Sequence, residues 1–124
     1  MNKKPTYHLI TLGCPKNDVD SLHLERLLDN GGLQPTEKVQ DADSIIVNTC
    51  GFIEQSKAQS IETVHKLAKT KQANQKLVVA GCLTQIAAEE VQLSEPLIDH
   101  IFGVGEWEQV AKTLGVYFRI NIFI

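Results

Sequence analysis

The chain has 124 residues, of which 43% are hydrophobic and 22% charged, with a net charge of −3. That is the length of one domain, and it is enough to bury a core without disulfides. The balance does not suggest a nucleic-acid footprint, which needs a clustered basic face; Lys3, Lys4, Lys66, Lys69 and Lys71 are scattered and read as solvated charge. No stretch reaches the ~18 apolar residues of a membrane span. Residues 1–13 show neither the apolar centre nor the small-residue cleavage site of a secretory signal. A cytoplasmic location is the expectation. Three cysteines, an odd number in a reducing compartment, then read as packed thiols, metal ligands or reactive groups.

In chain order, short apolar runs alternate with helical patterns. Run 7–11 is rich in β-formers and stops at Gly13, so it predicts a strand. Asn17 or Asp18 can cap the helix that follows; Leu24, Leu27 and Leu28 give its buried face, and 30–32 (Asn-Gly-Gly) ends it. Run 44–48 carries three consecutive β-branched apolar residues, the mark of a strand covered on both faces. A helix is expected over 54–70, with Ile61, Val64, Leu67 and Ala68 facing inward. Run 76–80 predicts a third strand, 84–93 a helix, and 100–103 a weaker fourth strand. Trp107, Val110, Ala111 and Leu114 share one face of a last helix.

This alternation implies right-handed βαβ crossovers. The expected fold class is α/β, with three layers and a mainly parallel sheet of four strands, Rossmann-like or flavodoxin-like, with helices on both faces. Residues 1–115 form the expected domain. Residues 116–124 carry one charge and strong β-character. They read as a fifth strand, the start of a further domain, or foreign sequence.

Cys14, Cys50 and Cys82 each follow one of the first three strands. In open α/β sheets that carboxyl rim is where ligands bind. Neighbouring strands lie about 4.8 Å apart, so if the three are adjacent their thiols converge within roughly 10 Å. Each thiol also has a glycine neighbour in sequence, which lets backbone approach a bulky ligand. The helix N-termini beyond would stabilise thiolates, and Lys16 would add positive charge. Three cysteine ligands on a 4Fe-4S cluster would leave one iron open.

The rival readings are a zinc site of three cysteines and one histidine, metal-free thiol redox chemistry, and plain packing of buried cysteines. The cysteine separations, 14 to 50 and 50 to 82, match no local metal-binding pattern. His8, His23, His65 and His100 are not well placed to join them. Gly103-Val104-Gly105 is too short for a dinucleotide fingerprint. Asp18 and Asp20 read as first-turn helix residues, and Asn48 and Thr49 as residues that shape the loop before Cys50.

Three segments carry a resemblance: Thr-Leu-Gly-Cys-Pro-Lys-Asn at 11–17 with Val-Asp-Ser at 19–21, Val-Asn-Thr-Cys-Gly-Phe-Ile at 47–53, and Val-Ala-Gly-Cys-Leu at 79–83. In this order they resemble the cysteine motifs of the methylthiotransferase family of radical S-adenosylmethionine enzymes, over residues 7 to about 114. Gly-Cys-Pro-Lys-Asn and Cys-Gly-Phe-Ile are similar to the RimO-type branch, which modifies an aspartate of a small-subunit ribosomal protein. The tRNA-modifying branch typically has Gly-Cys-Gln-x-Asn in the first motif.

The resemblance implies that Cys14, Cys50 and Cys82 bind a 4Fe-4S cluster whose open iron carries the sulfur to be inserted. It also implies partners: a radical domain whose CxxxCxxC motif holds a second cluster and cleaves S-adenosylmethionine, and a C-terminal domain that holds the substrate. The 124 residues contain no CxxxCxxC. The expectation is a cluster-binding part that does not catalyse methylthiolation alone. The alternatives are the corresponding domain of a tRNA methylthiotransferase and a non-catalytic zinc or thiol-redox module.

Overall fold

The computed structural model describes residues 5–13, 15–50, 54–83, 91–92 and 95–115. The strands are β1 (Thr6–Thr11), β2 (Gln34–Pro35), β3 (Ser44–Thr49), β4 (Lys76–Gly81) and β5 (His100–Phe102). The helices are α1 (Pro15–Asn30), α2 (Glu54–Thr70) and α3 (Trp107–Thr113), with a short 3-10 turn at Val39–Asp41. Cys82 and Leu83 are also helical, just before the segment expected as a helix over 84–93, and Val91 and Gln92 are helical within it; the rest of that segment lies outside the described residues.

All five strands pair in parallel, in the order β2-β1-β3-β4-β5. This is the doubly wound order in which the chain reverses direction across the sheet beside β1, leaving a crevice between β1 and β3 at the carboxyl ends. The fifth strand comes from β2, two exposed residues on the edge. Residues 116–124, offered above as a fifth strand, lie outside the described residues.

Strand side chains alternate between faces, so a strand covered on both sides must be apolar throughout. Every residue of β3 is buried. Ile46 faces one way with Tyr7, Val78 and Ala80, against Leu24 and Leu28 of α1 and Val110 and Leu114 near α3. Ile45 and Val47 face the other way with Leu77 and Val79, against Val64 and Ala68 of α2 and against Leu83 and Val91. These are the two layers of helix expected from the sequence.

The end of α1 fixes how the chain turns to the sheet edge. The Leu33 N–H bonds the Leu28 carbonyl and the Gly32 N–H bonds that of Asp29, the paired bonds of a Schellman cap. Leu33 itself is buried beside Leu28. At its start, α1 has Pro15 in the first helical position, where the absent N–H costs no helical bond.

Candidate functional site

β1, β3 and β4 are adjacent, which meets the condition set for the three cysteines to converge. Register places Thr11 beside Asn48 and Thr49 beside Gly81. Cys50 and Cys82 therefore each follow a paired residue by one position, at the same end of neighbouring strands. Both are buried, at 6% and 4% exposure. Cys14 lies outside the described residues, between Gly13 and α1.

Two glycines let the backbone close around these thiols. Gly13 has φ +90°, and a Cβ there would sit 2.4 Å from Cys50 Cβ and 2.6 Å from Cys50 Sγ. The residue before Cys14 thus packs directly on Cys50. Gly81, before Cys82, has φ +104°, and a Cβ there would meet Asn48 Oδ1 at 2.6 Å and the Thr49 backbone at 2.8 Å. Only glycine has the conformational freedom and the small volume for both places.

A buried polar network ties the loops together. Asn17 Nδ2 donates to the carbonyls of Leu12, at 2.6 Å, and Thr49, at 2.9 Å. Asn48 Nδ2 donates to the Asn17 carbonyl and to Ser21 Oγ, both at 3.1 Å. Ser21 Oγ also bonds Thr11 Oγ1 at 2.6 Å. Thr49 Oγ1 donates to the Ala80 carbonyl and accepts from the Leu83 N–H, which braces the turn through Cys82. Ser60 of α2 accepts from the Cys50 N–H at 3.1 Å and donates to the Cys50 carbonyl at 2.7 Å. Buried backbone groups left without such partners would each cost about 1–3 kcal/mol.

One expectation changes in this light. Asn17 does not cap α1: it sits within the first turn, and its side chain reaches back to β1 and across to β3. Lys16 directs its ammonium to Asp20, 2.8 Å away and one helical turn on. Asn48 and Thr49 do shape the loops, as expected. Ser60 was not anticipated, and Ser21 entered only as the last residue of the first motif. The one available signal was Ser60 on the inward stripe of α2, one turn before Val64, where a polar residue needs a buried partner.

Three of the four histidines have partners other than the cysteines. His8 Nδ1 bonds the Thr36 carbonyl, His65 pairs with Glu95, and His100 stacks on Phe102. Among the described residues no group of three His, Cys, Asp or Glu side chains is arranged to hold a metal ion. Cys14 lies outside that set. Cys50 and Cys82 are thus two buried sulfur donors on neighbouring strand ends. Such soft donors suit thiolate-bound iron–sulfur clusters or zinc.

The uncharacterized protein family UPF0004 matches residues 6–103. Among curated proteins, the chain is 45% identical to the ribosomal protein uS12 methylthiotransferase RimO of Aliarcobacter butzleri, over 86% of this chain and 24% of that protein. It is 44% identical to the protein of that name from Bdellovibrio bacteriovorus, over 91% of this chain and 25% of that one. With Koribacter versatilis the figures are 41%, 86% and 22%. The chain spans about a quarter of the length of these relatives.

Proposed function

Because the chain belongs to the UPF0004 family and matches RimO-type methylthiotransferases over most of its length, we propose that it is their cluster-binding N-terminal domain. In this reading residues 1–115 form the domain. Cys14, Cys50 and Cys82 each give a thiolate to one iron of a 4Fe-4S cluster, and the fourth iron stays open. The observation that carries the proposal is the juxtaposition of Gly13 with Cys50 and the placing of Cys50 and Cys82 one residue past a paired position on adjacent strands.

The donor set fits such a cluster. Its described members, Cys50 and Cys82, are sulfur donors shielded from water. When bound, the cluster would supply an iron site able to hold sulfur. The chain's own residues do the rest: Asn17, Thr49 and Ser60 fix the loops, and burial keeps water from the thiolates.

The substrate of the whole protein is proposed to be an aspartate of ribosomal protein uS12, modified in concert with a radical domain and a substrate-holding domain that this chain does not contain. Support comes from the Gly-Cys-Pro-Lys-Asn motif at 13–17 and from the names of the matched relatives. The test pairs this chain with a protein of the relatives' full length that carries it. Given S-adenosylmethionine, reductant and a sulfur source, the long protein should methylthiolate uS12 and leave tRNA unmodified. This chain alone should form no 5′-deoxyadenosine. Methylthiolated tRNA would move the substrate to the other branch, and 5′-deoxyadenosine from the chain alone would refute its role as a component.

A further inference from the structure

We propose that Asn17 is a positioning residue for the thiolate site, a single amide that ties the loops before the first two cysteines and borders the third. This rests on the cluster reading above. Asn17 is 1% exposed. Its Nδ2 holds the carbonyl of Leu12, two residues before Cys14, and the carbonyl of Thr49, the residue before Cys50. Its Oδ1 lies 4.0 Å from Cys82 Sγ and accepts from that thiol in the metal-free protein, a bond that is given up when Cys82 binds iron as a thiolate. Its backbone carbonyl is held in turn by Asn48. One side chain thus touches the ends of β1, β3 and β4, the three strands that lead to the cysteines.

The chemistry needs this residue type. Aspartate has the shape but no N–H to offer two carbonyls. Glutamine has the amide but carries one more methylene, which displaces its N–H groups from the Leu12 and Thr49 carbonyls that Asn17 reaches at 2.6 and 2.9 Å. Alanine leaves the Thr49 and Leu12 carbonyls without this donor, and the loops then lose their common tie. Groups that orient metal ligands, rather than bind the metal, typically account for about 10–100-fold in metal affinity.

The test uses the whole chain, as wild type, Asn17→Ala, Asn17→Ser and, as a control remote from the rim, Tyr7→Phe. Each is reconstituted anaerobically with ferrous iron and sulfide. Iron loss to a chelator, the electron paramagnetic resonance of the reduced cluster, and thermal unfolding of the metal-free protein are recorded. Both Asn17 variants should unfold cooperatively yet lose iron about tenfold faster, with an altered resonance, while Tyr7→Phe keeps the wild-type rate and signal.

A wild-type rate and signal in a folded Asn17 variant would overturn the proposal. So would failure of both Asn17 variants to fold, which would make the residue a determinant of the fold instead. Absence of a cluster in the wild type would overturn the underlying reading, and is told apart because the defect is then common to every variant.

Discussion

Gly13 shows how little latitude a single position at the rim has. Its φ of +90° is one that side chains rarely adopt, and its missing Cβ is the space taken by Cys50. Gly13→Ala must push Cys50 aside or distort the loop into α1. A left-handed alanine alone costs about 1–2 kcal/mol, and the clash adds to it. The variant should unfold at lower denaturant concentration and bind iron less tightly than wild type. Equal midpoints in a urea titration would show that the loop gives way freely. Ser60 makes the complementary point: by bonding both the N–H and the carbonyl of Cys50, it lets a thiol-bearing loop be buried without orphaned backbone groups.

Between elements, the clearest link is that of β1 to α1. Tyr7, 2% exposed, donates its phenol to Asp29 Oδ1 at 2.7 Å. Burial, with the Asp29 carboxylate as acceptor and nearby negative charge, pushes the phenol well above the usual tyrosine value. The sign follows from linkage: the fold favours the protonated phenol, so this stabilisation is complete below about pH 10, where an unfolded tyrosine ionises, and falls as pH rises beyond it. Tyr7→Phe should be less stable than wild type at pH 8 by about 1–2 kcal/mol, since the lost bond goes to a charged group. Its deficit should narrow by pH 11. Urea unfolding of both proteins at the two values checks this, because lysine and cysteine titration is common to both; a constant gap would contradict it.

The elements differ in how far the sequence reveals them. Run 44–48 announces β3 because burial on both faces demands unbroken apolar residues, and the same logic exposes β4. The helix over 54–70 is legible end to end from its inward stripe. β2 is not, since Gln34 and Pro35 are exposed and two residues carry no period. Asn17 misleads for a physical reason: an asparagine near a helix start satisfies local N–H groups in most sequences, and only the long-range approach of β3 redirects it.

For the whole molecule, the order of parallel strands decides which cysteine-bearing strand ends are neighbours and is the least legible feature. Sequence places each cysteine after a strand but does not make those strands neighbours. Adjacency arises from the reversal at β1, which brings β3 to its side once α1 and α2 have packed on opposite faces. The polar crevice at that reversal, lined by Thr11, Asn17, Ser21 and Asn48, is where a doubly wound sheet presents its ligand site. No helix among the described residues is long and apolar enough to cross a membrane. The motifs around the cysteines were readable because they crowd chemistry and tight backbone turns into a few positions.

The central claim is that three strand ends jointly hold one iron–sulfur cluster. Anaerobic reconstitution of the chain with iron and sulfide, compared with Cys14→Ser, Cys50→Ser and Cys82→Ser, tests it most directly. The account predicts about four irons and four sulfides per wild-type chain, broad visible absorption, and loss of a stable cluster in each of the three variants. Stoichiometric zinc without iron, or a full cluster retained after replacement of any one cysteine, would contradict it.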